Sequence, residues 1–178
     1  MYTLTLKSCM RPYFTRAYLI FTGNTMLMKK FDKEFYKLTR DVLKNEHFKK
    51  SRSIRHHIKS NTFDHSVKVA YLCYLHQKRF KSKIDINALL RGALLHDFYL
   101  YERSKHSKNR RLHGVRHPNI ALKNANLYFS DLSQIEADII SRHMFPLTPI
   151  PPKTREGWLV CFYDKVATVS DLFSIKKK

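Results

Sequence analysis

The sequence predicts an all-α, single-domain helical bundle, and three observations carry that expectation. The 178 residues are 43% hydrophobic, enough for one real core, yet they include only four glycines and six prolines and no Gly/Ser-rich linker. Apolar residues recur at helical spacing along successive stretches of the chain. Helix start signals precede several of those stretches, the clearest being Ser133 with Glu136 three residues on, the pattern of a capping box.

In chain order, residues 1–28 come first, and their apolar side chains cluster without sustained helical periodicity. They read as an extension, either poorly ordered or upstream of a start at Met26 or Met28, with the domain proper over 29–178. The stretch "AYLIFTGNTMLM" is too short and too interrupted to span a bilayer, and no cleavage pattern follows it. From Phe31 to Phe48, the spacing of Phe35, Leu38, Val42 and Leu43 predicts the first helix. The polar run "KKSRSIRHHIKSN" then leads to Thr62, the expected N-cap of a helix through Phe80 in which His65, Val69 and Leu72 share a stripe.

Asp85 introduces a third helix, "ALLRGALLHDFYLYE", residues 88–102. Leu89, Ala93 and His96 fall on one stripe, and Leu90, Leu94 and Asp97 on the next, so burying this helix carries an imidazole and a carboxylate inward. A long polar loop, "RSKHSKNRRLHGVRHP", is expected to end at His117–Pro118 before "NIALKNANLYF". The capping box opens a helix in which Ile139, Ile140 and His143 form an apolar face, and Pro146, Pro149, Pro151 and Pro152 stop it. The last helix, "TREGWLVCFYDKVATVSDLF", aligns Val160, Cys161, Asp164 and Ala167 on one face.

A formal charge of +20, spread along the chain, predicts a generally positive surface that attracts polyanions: phosphate-bearing small molecules, nucleotides first, or nucleic acid. The bland alternative is a set of solvated lysine-rich faces. Three cysteines without short spacing suggest neither a disulfide framework nor a zinc knuckle, which fits a reduced, cytoplasmic setting for a protein that does not enter the membrane.

One by one, the inward polar residues have bland explanations too, since a histidine on an apolar face is most often a core residue with one satisfied hydrogen bond. The set is different. His65, His96, Asp97, His117, His143 and Asp164 come from five segments, and burying them without a compensating charge would cost several kcal/mol for the ions alone. A divalent cation removes the difficulty. Imidazole and carboxylate donors without cysteine suit Mn, Fe, Co, Ni or Zn in a site of catalytic type.

The ordered fragments "DHSVKVA", "LLHDFYLYE", "VRHPNIAL", "SRHMFP" and "YDKVAT" resemble the HD-domain metal-dependent phosphohydrolases over about residues 31–173, and among them the small single-domain bacterial members. The resemblance implies an all-helical domain with a central site for one or two divalent ions, Mg added to those above, hydrolysing a phosphate mono- or diester. It implies that His65, His96, Asp97 and Asp164 hold one ion, with His96 and Asp97 at the centre of catalysis. Asp97 would bridge to a second ion completed by His117 and His143, with His113 competing for the place of His117. Arg103, Lys105, Arg116 and Arg142 lie near these residues in sequence and could bind phosphate oxygens, and His57 with its neighbour His56 could line the pocket. The chain departs from the family where Phe98, Tyr99 and Leu100 follow the His-Asp doublet, because many members continue with Ile-Gly-Lys; a phosphate-contacting lysine is missing there. A basic nucleic-acid-binding or nucleotide-sensing module with a non-catalytic site is the alternative, although no helix-turn-helix, RNA-recognition or zinc-finger signature supports it.

Overall fold

The computed structural model describes residues 33–54, 61–100 and 110–173, so the predicted extension at 1–28 lies outside the described residues. Two units divide the chain, Met1–Tyr36 and Lys37–Lys178, and the site described below belongs wholly to the second. The all-α expectation holds: the described elements are α1 (Lys33–Lys44), α2 (Glu46–Lys49) running into a 3₁₀ turn (Lys50–Ser53), α3 (Thr62–Phe80), α4 (Ile86–Leu95), α5 (Arg110–Tyr128), α6 (Gln134–Arg142) and α7 (Arg155–Phe173). Among the described residues, no helix is long and apolar enough to cross a membrane.

Four expectations about helix ends are corrected. The first helix does not run on to Phe48; it stops at Lys44, and the Asn45 side chain accepts from the His47 and Phe48 amides to start α2 afresh. The N-cap of α3 is Asn61, whose side chain accepts from the Asp64 amide, and Thr62 is already helical. The helix introduced by Asp85 ends at Leu95, leaving His96 at its C-cap and Asp97 in the following turn, not inside a longer helix. Finally, "RRLHGVRHP" is no loop. It forms the first half of α5, with Pro118 inside the helix and His117 before it.

α4 is the hub, packed against α3, α5, α6 and α7. Ala88, Leu89, Leu90, Gly92, Ala93, Leu94 and Leu95 are all buried, as a helix with apolar residues around most of its circumference must be. Its one basic residue, Arg91, reaches outward to the Ser130 carbonyl (2.8 Å) and the buried Glu136 carboxylate (3.4 Å), the same glutamate that closes the Ser133 capping box. α6 and α7 are set relative to each other by Asp138, whose carboxylate accepts from the Lys153 amide, the Thr154 amide (3.0 Å) and the Thr154 hydroxyl (2.8 Å). A buried carboxylate with that many donors is satisfied, and it pins the proline-rich connection that the sequence marks as stiff.

Candidate metal centre

Five segments deliver six polar side chains to one place. Two of them arrive by the same device. His96 and His143 are the C-caps of α4 and α6, where the last carbonyls have no intrahelical partner. Each imidazole turns back to supply one: His96 Nδ1 donates to Ala93 O at 2.7 Å, and His143 Nδ1 donates to Ile140 O at 2.9 Å. A carbonyl only accepts, so Nδ1 carries the proton in both rings and Nε2 is turned toward the centre. The two rings meet edge to face at 4.8 Å.

Around them, Asp97 Oδ1 lies 3.1 Å from His117 Nε2 and 3.6 Å from His143 Nε2, while its Oδ2 lies 3.5 Å from His96 Nε2. His65, in the first turn of α3, meets Asp164 of α7 at 2.9 Å through Nε2, and the same Asp164 oxygen is 3.7 Å from His96 Nε2. His117 Nε2 and His143 Nε2 face each other at 2.9 Å. Two overlapping groups, His65/His96/Asp164 and His96/Asp97/His143, each offer three ligand atoms within 4.8 Å of one another, with His96 common to both.

The electrostatics divide this cluster. Burial works against a charge on His65, but its hydrogen bond to Asp164 and the nearby Asp171 carboxylate win and push its pKa up to about 9. Asp164 is the counterpart: burial opposes its charge, and the hydrogen bond from His65, with the His96 ring close by at 3.7 Å, holds it well below the ordinary range. His143 goes the other way, down to about 3, through burial first and then the nearby His96 and His117. It is neutral at any working pH, with Nε2 as a lone pair.

The donors fit a divalent ion. Nitrogen and oxygen ligands ~2.1 Å from a common ion stand roughly 3–3.5 Å apart, and the separations of 3.5, 3.6 and 3.7 Å around Asp97, His96 and Asp164 need only a small contraction. His96 Nε2 is buried and has no hydrogen-bond partner, a cost that a bound cation removes.

A family model for the HD domain matches residues 62–169, which is more than half of the chain and takes in the ordered set from His65 to Asp164. The chain belongs to the HD-domain family of metal-dependent phosphohydrolases. Comparisons with curated proteins and with solved structures found no match. The one adjacent His-Asp pair in the sequence, His96–Asp97, sits at a helix C-terminus and the turn beyond it.

The HD domain brings together His65, His96, Asp97, His117, His143 and Asp164. Of the candidate phosphate contacts, Arg116 is exposed on α5 directly before His117. Arg142 has its guanidinium committed to Asp138 (3.2 Å) and the Pro151 carbonyl (3.2 Å), partners that hold the α6 terminus in place. His113 lies one turn before His117 on the same helix, so the two compete as residues i and i+4 and not as residues of a loop. His57, Arg103 and Lys105 lie outside the described residues, as does the His113 side chain.

Several contacts emerge only in three dimensions. Tyr99, almost fully buried, sets its ring edge-on to His117 at 5.8 Å and pairs its hydroxyl with Thr62 at 3.2 Å, whereas Phe98 turns into the core against Phe48 and Phe129. Lys68, buried, and Asp171, half-buried, form an ion pair behind His65. The signal for them is helical: Lys68 is three residues after His65, and Asp171 is seven after Asp164.

Proposed function

We propose that this HD domain hydrolyses a phosphate mono- or diester, a nucleotide among the candidates, using one or two divalent ions held by His65, His96, Asp97, His117, His143 and Asp164. The observation that carries the reading is the buried His96 Nε2, without a hydrogen-bond partner at the junction of the two ligand groups. A bound divalent ion would supply a water ionised near neutral pH and would offset charge on the phosphoryl oxygens. Asp97 presents each of its oxygens to a different side of the cluster, which suits a shared ligand. His96 and His143, fixed through Nδ1 by backbone carbonyls, keep Nε2 aimed inward without reorganisation. The net charge of +20 favours an anionic substrate, and Arg116 is placed to meet it, with His57, Arg103, Lys105 and His113 as further candidates.

The test is Asp97→Asn. The variant keeps nearly the same shape but loses the anion, and it is expected to retain parental helical content by circular dichroism. Bound metal and phosphate release should both fall by more than about 100-fold, beyond the 10- to 100-fold typical of changes to groups behind the ligands. His96→Ala should behave alike across added Mn, Co, Ni and Mg. An Asp97→Asn protein that binds metal and hydrolyses like its parent would sink the proposal. The charge also supports a second reading, a nucleotide-sensing module, and metal binding without phosphate release would favour it.

A further inference from the structure

His65 is held from both sides by one helix. Its Nε2 meets Asp164 Oδ1 at 2.9 Å, and its Nδ1 faces Asp171 Oδ2 at 3.8 Å. The two aspartates are seven residues apart on α7, hence on one stripe two turns apart, and α3 lays His65 between them. Asp171 is itself tethered. Lys68, one turn after His65 and 4% exposed, puts its ammonium 2.6 Å from Asp171 Oδ1, 2.9 Å from Ser170 Oγ and 3.5 Å from Ala167 O. Asp171 lies beyond residues 62–169, the part of the chain that matches the family.

We infer that Asp171 is a positioning residue: held by Lys68, its carboxylate keeps the His65 proton on Nδ1 and so turns the Nε2 lone pair toward the ion. This rests on the metal-centre reading above. His96 and His143 obtain the same result from backbone carbonyls at their helix ends, but His65 sits in the first turn of α3, where no free carbonyl is available, so a carboxylate from another helix takes that part. At 3.8 Å the contact is an ion-pair distance, longer than a hydrogen bond.

The arrangement gives Asp171→Asn an unusual expected effect. Lys68 has only protons to offer, so it retains the oxygen that replaces Oδ1 and leaves the new amide NH₂ facing His65. Two donors then oppose each other at Nδ1. The conflict ends when the His65 proton moves to Nε2, where it blocks the ion. Asp171→Ala removes the carboxylate but imposes no wrong tautomer, and Lys68→Met combined with Asp171→Asn frees the amide to flip and accept.

The experiment measures the affinity of the full-length protein for Co(II) alone, by competition with a chelating dye, with apo-protein circular dichroism alongside. Expected are a 10- to 100-fold loss for Asp171→Asn, a smaller loss for Asp171→Ala, and partial recovery in the double variant. Asp171→Asn binding Co(II) like the parent, or a double variant no better than Asp171→Asn, overturns the inference while leaving the metal centre standing. A parent that binds no Co(II) overturns both. Long-range ¹H–¹⁵N spectra of the zinc-loaded parent give a second reading that needs no variant to fold. His65 protonated on Nδ1 agrees, and His65 protonated on Nε2 refutes.

Discussion

His65 and His143 are both fully buried, yet their neighbours push them in opposite directions, to about 9 and to about 3. Both start from 6.5 in the unfolded chain. A raised pKa stabilises the metal-free fold fully below 6.5, and that contribution is lost as pH rises toward 9. A lowered pKa is neutral in effect above 6.5 and costs stability as pH falls below it, because the unfolded histidine takes up a proton that the folded one refuses. The two arms meet, so the Tm of protein kept in chelator should peak near pH 6.5, with about 3 kcal/mol lost along the alkaline arm. Saturating metal should flatten that arm, since binding already displaces the His65 proton. Differential scanning calorimetry between pH 5 and 9, with and without added Mn, checks both. A profile that keeps rising to pH 9 in chelator would contradict the His65–Asp164 ion pair.

At the scale of elements, what the sequence made legible and what it hid follow from the same physics. Apolar periodicity placed α3, α4, α6 and α7, because each buries a stripe and burial demands the period. Helix ends are set by weaker, local terms. α4 ends without a C-cap glycine, and His96 still has helical backbone angles, so the stripe through Leu89 and Ala93 reads on past the true end at Leu95. Pro118 hid α5 for a related reason: a proline usually marks a boundary, but here the helix continues through it. The Lys68–Asp171 pair is not legible in the chain because it depends on how α3 packs on α7. Gly92 shows how closely such packing is tuned. A Cβ there would stand 2.6 Å from Ile139 Cδ1 and 3.1 Å from its Cβ and Cγ2, and Gly92 and Ile139 each lie one turn before the C-cap histidine of their helix. The close approach of α4 and α6 at this pair therefore brings the His96 and His143 rings together. Alanine at 92 would gain roughly 1 kcal/mol in helix propensity, but overpacking against a stiff β-branched side chain costs about 1–3 kcal/mol. Gly92→Ala should come out destabilised by about 1 kcal/mol in urea unfolding, with weakened metal binding, and Ile139→Val should recover part of both. A Gly92→Ala protein as stable and as tight for metal as its parent would show that the helices can part there without consequence.

For the whole molecule, the fold class and the ordered ligand set could be read from the chain because helical period is local and the residues recur in family order. Their convergence could not, since it depends on tertiary packing. That convergence makes the ion a folding ligand. His65 comes from α3, His96 and Asp97 from the end of α4, His117 from α5, His143 from the end of α6 and Asp164 from α7, so the unfolded chain offers no comparable site. An ion that binds only the folded form stabilises by RT ln(1 + [M]/Kd), about 2.7 kcal/mol at a hundredfold excess over Kd. For a chain of 178 residues, each kcal/mol moves Tm by roughly 2–4 °C. Saturation should thus raise Tm by about 5–10 °C over the chelated protein, and above Kd each tenfold increase in free metal should add a constant increment of about 1.4 kcal/mol. Two independent sites would double that increment. The slope of Tm against the logarithm of free Mn, measured in metal buffers at fixed pH, therefore counts the ions as well as detecting them. A Tm indifferent to both chelator and Mn would mean that the six side chains converge for some purpose other than holding metal.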